Sequence, residues 1–395
     1  MVDRKERRAI YPGSFDPPTN GHKWMMEKMA EEFDHGFVAI GVNPGKPLGR
    51  FSLLDRMQML EEIIAQEYPN LAVSSFFGLF QADFAEMMGA KYIVRGVRNG
   101  SDFAFENDIR HINETINPNV ETVILTPPKE LLQVSSSLVM GLVGFEGWQE
   151  EVALMVPGPT LDRLKQMQSE KDKDYLAKKW EELVKRLGVH NETKPVFEDL
   201  FQRYSKSNRA YHGISHLKTC LNELSLFKDF KKMAVENVNV VELALWFHDA
   251  VYETNKNGAS VANDEEASAQ LAFDVIANQW KLPRDFADEV FTIILATKHT
   301  GAIVRSNAEI VIDIDLAIFG RSTRLYDIYE KQIREEYFWV PPDVFAKKRS
   351  EILQSFLPPN RLNVYYLDFF RSRYEAKAQE NLKRAIISLQ NSFKS

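Results

Sequence analysis

Two sets of side chains in this 395-residue sequence have types and spacings that suit phosphate chemistry. The first lies in Tyr11-Pro-Gly-Ser-Phe-Asp-Pro-Pro-Thr-Asn-Gly-His22. A short apolar piece, Ala9–Tyr11, is broken by Pro12-Gly13, and a helix is predicted to start near Thr19. A helix start offers free backbone N–H groups and the positive end of its dipole, both of which favour phosphate. Gly21 lets a ligand approach the backbone closely, and His22 projects from the first turn as a donor to a phosphate oxygen. A strand–turn–helix corner with a capping Thr or Asn and a surface histidine has the same local pattern.

The second set comprises Tyr211-His212-Gly-Ile-Ser-His216, Phe247-His248-Asp249, Lys298-His299-Thr300 and Asp313-Ile-Asp315. His and Asp are ligands for divalent metals. His248-Asp249 ends the apolar helix Val241-Glu-Leu-Ala-Leu-Trp-Phe, which sets metal-type ligands against a core. The i, i+4 spacing of His212 and His216 predicts that both share one helix face. A His-Glu-x-x-His protease motif is excluded because the Glu is absent. The alternative is a satisfied buried His–Asp pair. Asp264-Glu265-Glu266 reads as an acidic patch or as a solvated helix start.

Two kinds of element must position these residues. From Arg8 to about Leu142, short strand-like runs alternate with helical ones. Strands are read at Ala9–Tyr11, Gly36–Val42, Leu71–Phe76, Lys91–Val94 and Val120–Leu125. Helices are read at His22–Glu32, Ser52–Gln66, Ala82–Met88, Ser101–Thr115 and from Ser135. Ser52 and Asp55 have capping-box spacing. Such alternation predicts a parallel sheet covered by helices, with ligands at the carboxyl ends of its strands. Pro12–His22, Asn43–Lys46 and Arg95–Arg98 fall there. Beyond Pro157–Pro159 the pattern becomes almost wholly helical: Trp180–Leu187, Val196–Tyr204, His216–Leu226, Val241–Tyr252, Glu265–Asn278, Asp285–Thr297, Arg324–Phe338 and Ala376–Leu389. The expected organisation is a domain over 1–160, a linker or linking helix over 161–174, and a second, all-α domain over 175–395.

Composition bounds the function. A net charge of −7 argues against bulk nucleic-acid or membrane-surface binding. A single cysteine, Cys220, precludes an internal disulfide and suits a reducing, cytoplasmic compartment. The N-terminus has no apolar signal stretch, and no run approaches a membrane span.

Over about residues 7–145 the sequence resembles the phosphopantetheine adenylyltransferase family. The likeness rests on four ordered motifs: Tyr11–His22, Phe51-Ser-Leu-Leu-Asp-Arg56, Ile93-Val-Arg-Gly-Val-Arg-Asn-Gly-Ser-Asp-Phe-Ala-Phe-Glu106, and Val134-Ser-Ser-Ser137. The resemblance implies an α/β Rossmann-like nucleotidylyltransferase domain that moves AMP from ATP to 4′-phosphopantetheine, with Mg²⁺ on the triphosphate. It implies that Ser14 and Lys46 hold the acceptor phosphate and that His22 donates to the α-phosphate. Arg95 and Arg98 would contact the ATP phosphates. Phe15 and Gly21 would meet the nucleotide through backbone, and Glu106 would support it. Asn113 would serve the pantetheine arm, and Ser135, Ser136 and Ser137 the β/γ-phosphates. Arg98 as a surface ion pair, and Glu106 and Asp102 as helix supports, stay open. The sequence departs from the family pattern at Met140, where a basic residue is usual, at Ser14 in place of Thr, and by an extra residue between Lys46 and Phe51. A homo-oligomer, a hexamer in the family, is implied.

Over about residues 175–390 the sequence resembles the HD superfamily of metal-dependent phosphohydrolases, closest to a group with Tyr-His-x-x-x-His and Trp-Phe-His-Asp-x-x-Tyr. This implies an all-α HD domain in which His216, His248, Asp249 and Asp315 bind a divalent metal (Mn, Fe, Mg, Ni or Zn). His212 would protonate a leaving alkoxide, and His299 would serve a second metal or a substrate phosphate. Asp313 competes with Asp315, and the Asp-Leu pattern favours Asp315. The whole then reads as a bifunctional enzyme whose second domain hydrolyses an unidentified phosphate ester or nucleotide. The alternatives are an NMN-type adenylyltransferase, or a transferase carrying a non-catalytic regulatory HD module.

Overall fold

Five short strands with buried centres form one parallel sheet in the computed structural model: β1 (Arg8–Gly13), β2 (His35–Val42), β3 (Leu71–Phe77), β4 (Tyr92–Gly96) and β5 (Glu121–Leu125). Helices α1 (Asn20–Glu32), α2 (Leu53–Ile64), α3 (Gln81–Met87) and α4 (Gly100–Ile116) connect them, and α5 (Ser136–Leu142) and α6 (Trp148–Ala153) follow. The structure describes residues 6–45, 49–65, 67–254, 264–298 and 306–392. The chain divides into two units, Met1–Glu170 and Lys171–Ser395.

The sheet order is β3-β2-β1-β4-β5, every pair parallel. Side chains alternate between its two faces. Ala9, Tyr11, Val38 and Ile40 pack with Met25, Met26 and Met29 of α1 and Leu60 of α2. Ile10, Ala39 and Ile93 pack on the other face with Phe84 and Ala85 of α3. Both faces are therefore covered, as a parallel sheet requires. β2 and β3 extend to one side of β1 and β4 and β5 to the other. The order thus reverses between β1 and β4, and a crevice opens at their carboxyl ends.

The helix α7 (Gly158–Arg186) runs unbroken through the segment 161–174 that was expected to link two domains, and includes most of Trp180–Leu187. No Gly or Pro interrupts Thr160–Leu187. The charge run Ser169–Asp174 lies within this helix, whose Leu164, Leu176, Trp180 and Leu183 are buried. The second unit continues with α8 (Thr193–Tyr204), α9 (Ile214–Lys231), α10 (Val235–Phe247), α11 (Asp264–Phe273), α12 (Arg284–Ala296), α13 (Ser306–Asp315), α14 (Thr323–Glu336), α15 (Pro342–Ser355) and α16 (Asp368–Ser392). No strand occurs among its described residues.

Helix α10 is the axis of this unit. Every residue from Val238 to Phe247 is buried, the signature of a helix enclosed on all sides. Trp246 packs edge-on against Trp180, with ring centroids 5.0 Å apart. The buried polar residues of α10 are paired: Arg186 donates to Glu242 at 2.5 Å and to Asn239 at 3.0 Å. The helix stops at Phe247 and does not run on to Tyr252, so His248 and Asp249 emerge from it inside the core. No helix among the described residues is long and apolar enough to cross a membrane.

Candidate functional sites

A cavity of about 330 Å³ lies at the carboxyl ends of β1 and β4. Gly13 ends β1 and Ser14 follows it, Arg95 and Gly96 end β4, and Arg98 lies just beyond. Gly21 and His22 from the first turn of α1, and Ser135, Ser136 and Ser137 at the start of α5, complete the set.

His22 is held by its own helix start. Nδ1 accepts the Thr19 backbone N–H at 2.9 Å, while the Thr19 hydroxyl accepts the His22 N–H. This is a capping box with His at the position usually held by Glu or Gln. Because a backbone N–H can only donate, Nδ1 carries the lone pair and the neutral ring's proton sits on Nε2. Burial, with the charge of Arg98, pulls the imidazole down to about 4. At neutral pH His22 is therefore an uncharged Nε2–H donor lining the cavity. Fully buried Phe15, at φ 49°, sets its ring edge-on to His22 with centroids 5.1 Å apart. A Cβ on Gly13 would come within 2.8 Å of that ring. A Cβ on Gly21 would meet only the Thr19 hydroxyl, at 3.5 Å, so the fold leaves that space open.

Several of the expected side chains have internal partners. Arg95 lines the cavity with three of its five N–H donors engaged: its Nε and second nitrogen donate to both Glu106 oxygens, at 2.6 and 2.5 Å, and its third donates to the Pro12 carbonyl at 2.5 Å. Glu106 thereby supports Arg95 and does not line the cavity. Arg98 lines the cavity and also forms an i, i+4 pair with Asp102 at 2.9 Å. Ser135 caps α5 by accepting from the Leu138 N–H, and the Ser136 hydroxyl donates to the Pro17 carbonyl at 2.7 Å. Only the Ser137 hydroxyl of the three has no such internal bond among the described residues. Asn113 is buried, with its amide nitrogen unpartnered, and is not brought to the cavity. Lys46 lies outside the described residues.

Two positioning residues had been assigned no role. Asp16 accepts the backbone N–H of Arg50 at 2.7 Å and of Phe51 at 2.9 Å, tying the strand β2–α2 connection to the β1 loop. Arg56 donates to the Ser14 carbonyl at 2.9 Å. Both stand inside the motif strings, which was the available signal.

In the second unit, four side chains converge. His216 Nε2 lies 3.1 Å from His248 Nε2, 3.2 Å from Asp315 Oδ1 and 3.5 Å from Asp249 Oδ2. His248 Nε2 lies 3.2 Å from Asp249 and 3.7 Å from Asp315. Ligands around one ion with bonds of about 2.1 Å sit about 3.0–3.4 Å from their neighbours, so the donor set fits a divalent metal. His248 Nδ1 is 2.8 Å from the Leu245 carbonyl. A carbonyl only accepts, so Nδ1 carries a proton and Nε2 is the nitrogen turned to the cluster, the one that would bind an ion. Cys220 also belongs to a group of potential ligands with His216, His248 and Asp315, all within 4.8 Å. Burial pushes its thiol well up, which favours the neutral form over the ligating thiolate. Asp249 lies within 3.5 Å of both histidine nitrogens and offers the cluster a second carboxylate. Burial opposes charge on His248, but Asp249 and Asp315 outweigh it and hold the ring's pKa up.

Asp313 is elsewhere. Its carboxylate accepts the backbone N–H groups of Tyr366 and Leu367, both at 2.8 Å, and burial pushes it up to about 7. His299 lies outside the described residues.

His212 precedes α9 and does not share a helix face with His216; the helix begins at Ile214, after Gly213. The turn still brings the two rings to 5.7 Å. Its Nδ1–H donates to Glu336 at 2.7 Å, and that buried carboxylate also accepts the N–H groups of Tyr211 and His212 and the Tyr252 hydroxyl. Burial pulls His212 down, but the Glu336 hydrogen bond and charge outweigh it and hold its pKa up. Glu336, 124 residues away in sequence, had no signal. Glu336→Gln is expected to lower the His212 pKa, read from its ring-proton shifts against pH; an unchanged titration would refute the pairing. His212, Asp249 and Asp315 line one cavity of about 700 Å³.

Comparison with known proteins separates the two units. Residues 10–141 match the cytidylyltransferase-like family. Phosphopantetheine adenylyltransferases of Neisseria meningitidis serogroup C and of Chromobacterium violaceum are each 42% identical over 164 residues. That is 42% of this chain, and 95% and 99% of the respective relatives. A solved structure of Plasmodium falciparum nicotinic acid mononucleotide adenylyltransferase complexed with NaAD is 16% identical, with a TM-score of 0.34, covering 41% of this chain and 96% of that one.

Proposed function

We propose, for a chain that belongs to the phosphopantetheine adenylyltransferase family over 164 of its residues, that its first unit transfers AMP from ATP to 4′-phosphopantetheine. An oxygen of the acceptor phosphate attacks the α-phosphorus, the bond to the β-phosphate oxygen breaks, and pyrophosphate leaves with its Mg²⁺. No protein nucleophile is required, so positioning and donated hydrogen bonds carry the rate. The observation that carries this reading is the neutral His22 Nε2–H fixed at the crevice between β1 and β4. Arg95 and Arg98 are the cavity's cations for the phosphates, and Glu106 with the Pro12 carbonyl fixes the orientation of Arg95. Full-length protein with ATP, Mg²⁺ and 4′-phosphopantetheine is expected to form dephospho-coenzyme A, followed by mass. Product with NMN and none with phosphopantetheine would transfer the reading to the NMN-type reaction.

For the second unit we infer metal-dependent hydrolysis of a phosphate ester. The support is the convergence of His216, His248, Asp249 and Asp315 beside His212 on a large cavity. A divalent ion held there would polarise the phosphate and lower the pKa of a bound water. His212, whose pKa Glu336 holds up, is placed to give the leaving oxygen a proton. Metal analysis and a phosphatase screen test this; a metal-free, inert protein would favour the regulatory-module alternative.

A further inference from the structure

Most of the second unit's cavity is left unused by the four ligands and His212. Its volume of about 700 Å³ would hold a ligand of many atoms beyond a phosphoryl group. The remaining wall is apolar and aromatic, including Phe319, Ile333, Trp339, Phe345, Ile352 and Phe356. Its charges are sparse: Lys348 and Arg349 against Asp264 and Glu265. Arg349 is held from the side: its Nε and one terminal nitrogen donate to the two Glu330 oxygens, at 3.2 and 2.7 Å, and to the Tyr329 hydroxyl at 2.8 Å. Lys348 is the one lysine or arginine of the lining without a partner among the described residues, whereas Asp264 and Glu265 line it as carboxylates.

We propose that the second unit takes phosphate monoesters with a single phosphoryl group on a largely apolar body, aryl or medium-chain alkyl, and not sugar phosphates or polyphosphates. The proposal rests on the hydrolase reading above. In the reaction a water oxygen forms the new bond to phosphorus and the ester P–O bond breaks. His212 gives its proton to the leaving oxygen and is reprotonated from the attacking water through solvent. The apolar body stays against Phe345 and its neighbours, where each buried methylene strengthens binding by at most about fourfold. A second anionic group at the far end would have to shed its hydration against the apolar wall, and would forfeit that gain.

The test uses full-length protein loaded with Mn²⁺, its metal content measured by mass spectrometry, and calorimetric titration with n-alkylphosphonates from methyl to hexyl. Affinity is expected to rise two- to fourfold per methylene, and hexane-1,6-bisphosphonate to bind at least tenfold more weakly than hexylphosphonate. Phe345→Ala should cut the hexyl-to-methyl affinity ratio about tenfold. Ile352→Ala, at a half-exposed position that tolerates truncation, should cut it in the same direction. With metal bound, a flat alkyl series, or a bisphosphonate that binds as tightly as hexylphosphonate, overturns the substrate class and leaves the hydrolase reading standing. Protein that holds no metal overturns both.

Discussion

Substituting His22 with glutamine is expected to lower the turnover number for dephospho-coenzyme A formation by about 10²–10³-fold, the usual cost of one preorganised donor to a developing oxyanion. The choice of glutamine separates two jobs that His22 does at once. Its Nδ1 closes the capping box at Thr19 and its Nε2–H faces the cavity. Glutamine can keep the capping box, so the melting temperature should stay close to that of the parent while the rate falls. Alanine loses both, and should add a stability cost of about 1 kcal/mol to the same rate defect. The pH profile gives an independent check. Because burial and Arg98 pull the imidazole down to about 4, the ring remains neutral above that pH. The rate should therefore show no limb at the ordinary histidine value of about 6.5. A rate that climbs as pH falls through 6.5, and does so only when His22 is present, would mean that the working species is the imidazolium, and the neutral-donor account would be wrong.

How far the sequence could be read follows from the range of each interaction. The strand–helix alternation of the first unit is borne out as a five-stranded parallel sheet, with limits close to those expected because local signals set them. Ser52 and Asp55 do form a capping box at the start of α2. Of the two readings of 161–174, a linker or a linking helix, α7 is the helix, as the absence of Gly and Pro favours despite the charge run. α13 was missed because Glu309-Ile-Val-Ile-Asp-Ile-Asp315 alternates apolar, largely β-branched residues with acids, a strand-like pattern that tertiary burial overrides. The chemistry splits in the same way. Thr19–His22 is a local motif and could be seen directly. The Arg95–Glu106 pair needs the angle between β4 and α4, and His212–Glu336 needs a turn docked on the end of α14. No spacing rule reports such contacts, yet they decide how Arg95 and His212 are held.

The metal cluster makes the other large prediction. Full-length protein exposed to Mn²⁺ and desalted is expected to retain on the order of one ion per chain, and His248→Ala or Asp315→Asn to weaken binding by more than about 100-fold, beyond the loss typical of a supporting residue alone. Asp313→Asn is the matched control: Asp313 binds the Tyr366 and Leu367 backbone, so its replacement should lower stability while metal content is kept. Acidity should act on the ion through His248. Burial disfavours its charged form, but Asp249 and Asp315 outweigh burial and hold its pKa well up, so the metal-free ring retains a proton at neutral pH. An ion must displace that proton to reach Nε2. Binding should release protons and tighten as pH rises, and mild acid should strip the metal. A protein that takes up no ion at any pH would leave the two rings and two carboxylates as a buried proton-sharing network. The second unit would then serve the transferase as a binding module, and its apolar cavity would be the place to look for the regulator.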